Sequence, residues 1–552
     1  MKSPELQQLK EIIQKRKSEI LELNDCVAAT LSSVNRSNGN KTNGPYDVLI
    51  YSENGKKKCK YIKPQYKPFW ETKIQNYKRL KELFANWMML EMKYTQLEFD
   101  FQISTKENTM TTSTETINKT RKKQLRQDAN YIHIMKYMGS KRELLPDIKE
   151  FAKKLLPKGG TILDIFAGTC SVGAYLKNDF TVYSNDIQAY SKVLAGALIC
   201  SSNHKEPLIF GKMISSLEKY YEKNLKTLED LFPITLKTSN DFIKIKKDSW
   251  TNQQRKEYIS FCESFPGPLN NFTSNSKELK QLKEEYFKRA SKNDLFPYIQ
   301  TTFLFSETYF SFHQAMQLDS LRYAIEQTFK TETEKNIALA ALMYAHSYCS
   351  SGTGHFAMFR DLKTISSAQD VFIYRGKDVF EFFSNKLREL VEFCDFNKKT
   401  KHQAISSNYI DLIKSQTMDT VDLVYADPPY SFVHYSRFYH ATESLIRYDY
   451  NIPEHKGRYR TDRHQSPFCQ KQNVEEAFKI LIEACARSSC HILLSYADTG
   501  MINMERILEL LKQNKFSVSI KEINYDHSTM GRSGHKTNKI KEYLIAGKVR
   551  DN

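Results

Sequence analysis

The apolar positions of this chain fall into two rhythms. Near the start, Leu6, Leu9, Ile13, Ile20 and Leu23 recur at three- and four-residue spacing, interrupted by Arg16, behind a helix start at Ser3-Pro4-Glu5. The spacing predicts an amphipathic helix that packs one face or forms a short coiled-coil seam. Tyr46 to Tyr51 then reads as a strand, Asn54-Gly55 as a tight turn and Cys59 to Ile62 as the returning strand. A long helical stretch follows over residues 71–99, with Ile74, Tyr77, Leu80, Phe84, Trp87 and Leu90 on one face. Residues 104–130 are rich in Thr, Ser, Asn and Lys and nearly without apolar side chains, which predicts a linker. Residues 1–103 are therefore expected to form a separate helix-hairpin-helix module.

Beyond the linker the rhythm changes. A helical run covers Glu143 to Leu155. Gly160 to Phe166 is a short apolar strand holding Asp164, Ala167 to Gly173 is a small-residue turn into a helix, and Thr181 to Asp186 is a second strand ending in an acid. Val421 to Ala426 reads as a buried strand running into Asp427-Pro428-Pro429-Tyr430. Between these strands lies a long insert. It contains Lys-rich helical stretches such as Lys277 to Lys292, the aromatic run Phe303 to Phe312, and a core helix over Ile337 to Tyr348. Basic residues interleaved with aromatics suit nucleic-acid contacts, and a helical subdomain with its own core accounts for the same pattern.

Length and composition narrow the class. A chain of 552 residues, 40% hydrophobic and 26% charged, suits three or four globular units. No apolar run approaches the roughly 18 residues of a spanning helix, and the first residues lack the apolar core of a signal peptide. A cytoplasmic, membrane-free protein is expected. Lys and Arg number 82 against 64 acids, a net charge of +18. Such a balance fits a polyanionic partner, and equally a basic soluble protein. The ten cysteines contain no Cys-x-x-Cys pair, which argues against a zinc ribbon or a disulfide scaffold, and no metal-ligand cluster is apparent.

Two constellations carry chemistry. In a strand-turn-helix-strand unit the small-residue turn lets backbone approach a ligand at the strand ends, and an acid about 20 residues on holds ribose hydroxyls. Asp186 stands where that acid belongs. The unit fits nicotinamide, flavin and S-adenosylmethionine binders alike. The second constellation is more selective. An exocyclic amine of adenine is a poor nucleophile with two hydrogens to donate. A carboxylate at Asp427 and a carbonyl fixed by Pro428 can accept both, and Tyr430 offers a stacking face. Lone pair and sulfonium methyl can then be placed in line.

On these residues the chain resembles the alpha class of adenine-specific DNA methyltransferases, the Dam-type enzymes. Lys136-Tyr137-Met138-Gly139-Ser140-Lys141, the Asp164-x-Phe166-x-Gly168 loop, the second acidic strand, a recognition insert and Asp-Pro-Pro-Tyr follow in the family's order. The resemblance implies a Rossmann-like sheet with a long, mostly helical target-recognition insert. Residues 131–200 and 406–552 would form the catalytic domain and 201–405 the insert. It implies S-adenosylmethionine as cofactor, held by Tyr137, Gly139, Lys141, Asp164, Phe166, Gly168 and Asp186, with Asn408 and Tyr409 near its adenine. Asp427, Pro428, Pro429 and Tyr430 would be catalytic on a base flipped out of double-stranded DNA. Tyr435 to His440 with Glu443, His491 to Tyr496 and Glu542 to Ile545 resemble later family segments, and Tyr309-Phe310 with Leu318-Asp319 and Leu321-Arg322 resembles a helix of one subgroup. Arg437, Arg458 and Arg460 would line the DNA cleft or be solvated loop residues, and Arg532 lies in a basic loop expected near DNA. A separate restriction endonuclease would be the partner and the bacterial nucleoid the place of work. The chain departs from the family at Cys170, where glycine is usual and a side chain can crowd the cofactor. RNA or cytosine-amine methylation, and a non-catalytic DNA-binding subunit, are the alternatives.

Overall fold

The computed structural model describes residues 10–15, 17–19, 29–38, 41–53, 56–77, 79–80, 83, 132–137, 139, 141–203, 208–245, 250–265, 274–291, 295–352, 354–357, 359–360, 362, 365–394, 401–429, 435–453, 458–527 and 538–550. The chain divides into two units, Met1–Asn118 and Lys119–Asn552.

In the first unit β1 (Ala29–Asn38), β2 (Lys41–Glu53) and β3 (Lys56–Tyr61) form an antiparallel sheet in that order. Glu53 faces Lys56 in the β2–β3 register; the expected turn, Asn54-Gly55, lies outside the described residues. β1 is a strand the sequence pattern does not predict. Its Ser- and Asn-rich stretch lacks apolar alternation, and pairing with β2 (Leu31 opposite Leu49) supplies what local propensity does not. Leu49, Ile62 and Ile74 form the buried centre, with Tyr51 and Trp70 against them. Residues 67–77 are helical, four residues earlier than the pattern suggests. Leu6, Leu9, Ile20, Leu23, Trp87, Leu90 and the expected linker lie outside the described residues.

The second unit is built on a seven-stranded sheet. Its strands are β4 (Thr161–Asp164), β5 (Thr181–Asn185), β6 (Gln403–Ile405), β7 (Leu423–Ala426), β8 (His491–Ala497), β9 (Phe516–His527) and β10 (Asn538–Val549). The order is β6-β5-β4-β7-β8-β10-β9. The first five run parallel, and β10 is antiparallel to both β8 and β9. β7 is buried at all four positions, as expected of a parallel strand covered on both faces. The chain leaves β4 toward β5 on one side and returns to β7 on the other. That reversal opens a crevice at the carboxyl ends of β4 and β7, where sheets of this type bind ligands.

The helices of this unit are α1 (Leu145–Leu155), α2 (Ser171–Leu176), α3 (Ala189–Leu198), α4 (Phe210–Leu231), α5 (Pro233–Ile243), α6 (Asn252–Glu263), α7 (Lys277–Ala290), α8 (Gln300–Phe305), α9 (Phe312–Thr328), α10 (Glu332–Cys349), α11 (Ile365–Arg375), α12 (Val379–Phe393), α13 (Tyr409–Leu412), α14 (Tyr435–Arg447), α15 (Val474–Arg487) and α16 (Met504–Gln513). α3 follows β5 directly, and α4 to α12 fill the insert before β6. Thr251, Ser311 and Thr331 open α6, α9 and α10 with reciprocal capping boxes.

The aromatic run of the insert is core and not a DNA-contacting surface. Phe303, Phe305, Tyr309, Phe310 and Phe312 are all buried, in one apolar cluster that continues through α9, α10 and α12 to the sheet. The insert therefore shares its core with one face of the seven-stranded sheet and does not form a detached subdomain. A second cluster, from β7, β8, α15 and α16, covers the other face. Among the described residues no helix is long and apolar enough to cross a membrane.

Candidate active site

The crevice is a cleft of about 1160 Å³, its open mouth included. One wall is the loop after β4. Gly168 has φ +52°, and a Cβ there would lie 2.9 Å from the Tyr137 hydroxyl. Only glycine permits both the left-handed turn and the close approach of that ring. Tyr137 stacks on Tyr439 at 4.6 Å between centroids. Gly139, also left-handed at φ +74°, turns the backbone toward Lys141.

Asp186 follows β5 and accepts the backbone N–H groups of Gly168 (3.0 Å) and Gln188 (2.9 Å). Burial raises its pKa while these bonds pull it back. It thereby ties the glycine turn to the start of α3. Asn185 ties the same loop to the β6 end: its amide donates to the carbonyls of Ile165 and Ser407 (3.1 Å each), and its carbonyl accepts from Ser407 N–H at 3.0 Å. Asn408 caps α13 through Ile410 N–H at 3.0 Å. Phe166, Tyr409 and Phe468 form a three-ring wall with centroids 5.3 to 5.5 Å apart.

Asp164 is 2% exposed, and its Oδ1 has no hydrogen-bond partner. Burial, with Asp427 and Asp186 nearby, pushes its pKa well above the usual carboxylate range. A buried polar atom without a partner is costly. One lining a cleft is the natural seat of a donor or cation brought by a ligand. The open Oδ1 of Asp164, the glycine cradle and the aromatic wall together fit S-adenosylmethionine, which offers an ammonium, a sulfonium and a purine.

Asp427, Pro428 and Pro429 stand at the end of β7 in the same cleft. Asp427 Oδ1 pairs with Lys141 Nζ at 3.2 Å, and Lys141 also reaches Glu542 Oε1 at 2.6 Å. Ser495 Oγ donates to that same Glu542 oxygen at 2.8 Å. Burial raises the Asp427 pKa, Lys141 opposes the rise and Glu542 adds to it. Lys141, expected among the cofactor contacts, is thus bound to Asp427. The Cys469 thiol donates to the Pro429 carbonyl at 3.6 Å.

Cys170 does not crowd the cleft. It occupies a left-handed position, φ +57°, and is fully buried, with its sulfur turned to Ser191 O at 3.3 Å. The strain of that conformation is local to the turn.

Two arginines expected at the DNA surface are inside the protein. Arg458 donates to the Leu304 carbonyl and to Thr308 Oγ1 at 3.2 Å. Arg460 is 4% exposed and forks onto Asp449 (2.8 and 2.6 Å) and Asp462 (3.0 Å twice). Both fasten the segment after α14. Arg437 is half-buried against the Phe438 ring. Tyr430 and Arg532 lie outside the described residues.

Glu443, singled out only as part of a family segment, accepts Ala189 and Tyr190 N–H groups at 3.0 and 3.2 Å and so caps α3. Asp319 does the same for α8 through Thr301 and Thr302 N–H groups at 2.8 and 2.7 Å, and takes the Tyr448 hydroxyl at 2.6 Å.

The mostly parallel sheet, its crevice, and Asp-Pro-Pro at the end of the central strand fit the α/β fold of the methyltransferase class. Residues 137–507 match the D12 class N6 adenine-specific DNA methyltransferases, and the chain belongs to that family. It is 26% identical over 421 residues to the modification methylase StsI of Streptococcus sanguinis, covering 74% of this chain and 51% of that protein. It is 23% identical over 425 residues to the modification methylase LlaI of Lactococcus lactis subsp. lactis, covering 74% and 55%. It is 24% identical over 389 residues to the type II methyltransferase M.FokI of Planomicrobium okeanokoites, covering 69% and 47%. The chain thus spans about half the length of these curated relatives. No solved structure matches it.

Proposed function

We propose that the chain transfers a methyl group from S-adenosylmethionine to the exocyclic amine of adenine in double-stranded DNA, as the modification activity of a restriction system or as an orphan. The observation that carries this reading is Asp427, held by Lys141 at the end of β7 in one cleft with Asp164, whose Oδ1 has no hydrogen-bond partner.

The cofactor would be held by Asp164, Asp186, the turn at Gly168 and the wall of Phe166 and Tyr409. Once bound, S-adenosylmethionine supplies an electrophilic methyl on a sulfonium. Asp427 accepts one hydrogen of the amine and the Pro428 carbonyl the other, which turns the nitrogen lone pair away from the purine ring. Lys141 favours the ionised, accepting form of Asp427 against the burial that raises its pKa. Tyr430 is the residue proposed to stack on the flipped base, and Arg437 and Arg532 to contact DNA. We assign no DNA contact to Arg458 or Arg460.

Transfer of labelled methyl groups to duplex DNA, with the modified nucleoside identified by mass spectrometry, tests the reading. N6-methyladenine is expected. Label appearing in RNA or on the cytosine amine would overturn the substrate. Cofactor binding that is absent while DNA is bound specifically would favour a non-catalytic subunit.

A further inference from the structure

The group beyond Lys141 is not accounted for by this mechanism. Glu542 lies on β10, 115 residues after Asp427 in the chain. It is 3% exposed, and its Oε1 receives both Lys141 Nζ and Ser495 Oγ. Ser495 on β8 pairs directly with Leu544, so Glu542 is its diagonal neighbour on the same face of the sheet. A buried second carboxylate beside a catalytic one costs free energy unless something is gained from it. A lysine paired with Asp427 alone would neutralise it.

We propose that Glu542 is a positioning residue of the catalytic centre: it draws Lys141 to one side, so that one oxygen of Asp427 and a net negative charge are left for the amine. This role rests on the adenine reading of the cleft. The charge matters because of the course of the reaction. The amine nitrogen bonds to the methyl carbon as the carbon–sulfur bond breaks and its electron pair remains on sulfur. The nitrogen then carries a positive charge until one of its protons passes to Asp427 and on to water. The triad of Asp427, Lys141 and Glu542 has a formal charge of minus one, opposite to the charge that develops, and fixed charges in a buried site act strongly on such a transition state. Among the described residues, the titratable groups that act on Asp427 or are acted on by it are Lys141 from the segment before α1, Glu542 from β10, Asp164 at the end of β4 and Tyr425 from its own strand.

The test uses the full chain as wild type, Glu542→Gln and Glu542→Asp. Three readouts are followed: the pH profile of kcat, the Asp427 carboxyl titration by NMR with carbon-13 aspartate, and cofactor affinity by calorimetry. The Asp427 resonance is assigned by its loss in Asp427→Asn. Removing the neighbouring anion is expected to lower the Asp427 midpoint in Glu542→Gln and to carry the acid limb of kcat down with it. Maximal kcat is expected to fall about tenfold or more, with cofactor affinity within threefold of wild type. Glu542→Asp, which keeps the charge, should hold the wild-type midpoint and recover part of the rate. An unmoved midpoint and acid limb in Glu542→Gln, in an active wild-type background, would overturn this role alone. A wild-type chain that binds cofactor and methylates no adenine would overturn the adenine reading and this role with it.

Discussion

At the scale of single residues, the account turns on how Asp427 is kept able to accept. Burial lifts its pKa and Lys141 restrains the rise. Protonation occurs below a raised pKa, so transfer should fail as pH drops, with an acid limb above the ordinary carboxylate range. A kcat profile at constant ionic strength checks this, and a limb near pH 4 would contradict it. Asp427→Asn substitutes an amide, a weaker acceptor that can present its N–H₂ to the amine. Single-turnover transfer should fall about 100-fold or more, with cofactor affinity by calorimetry nearly unchanged. The strand-end acids were legible in the sequence because an acid or a proline directly after a buried strand has few structural uses. The partner of Lys141 was not. Its pairing depends on where β10 falls in the sheet, and no spacing along the chain encodes that. Cys170 was misleading for a related reason, since its identity is local but the direction of its side chain is set by packing on α3.

At the scale of elements, turns and loops fix the cleft. Gly168→Ala would place a Cβ against the Tyr137 hydroxyl and strain a left-handed residue by about 1–2 kcal/mol. Cofactor binding should weaken about tenfold by calorimetry. Affinity equal to wild type would mean that the turn opens elsewhere. Arg460 fastens the segment after α14. Arg460→Ala should cost on the order of 2 kcal/mol, less than the ~3–5 kcal/mol of a fully buried pair because Asp449 and Asp462 are about a third exposed. Thermal unfolding should report this as a lower Tm, while DNA affinity of the folded variant stays within about twofold. Loss of affinity at unchanged Tm would return Arg460 to the DNA surface. The strands at residues 161–164, 181–185 and 423–426 were readable from short apolar runs bounded by turn signals. β1 was not, because its polar composition gives no alternation, and the aromatic run at 303–312 fitted both a DNA-contacting surface and a core because period alone cannot tell a buried helix from a contacting one.

At the scale of the molecule, the seven-stranded sheet and its insert are one unit with a continuous core, and the N-terminal sheet belongs to another. The net charge of +18 agrees with a polyanionic substrate but names none. Deleting residues 1–103 should leave cofactor affinity within about threefold of the full chain by calorimetry. Loss of cofactor binding in a folded truncation would make that module part of the catalytic fold. The most direct test of the central claim is long-read sequencing of DNA from a methylation-free host expressing this chain or its Asp427→Asn variant. The account predicts one sequence motif modified at adenine with the wild type and none with the variant. Unmodified adenine with soluble wild-type protein in the cell, or modification that survives in the variant, would contradict it.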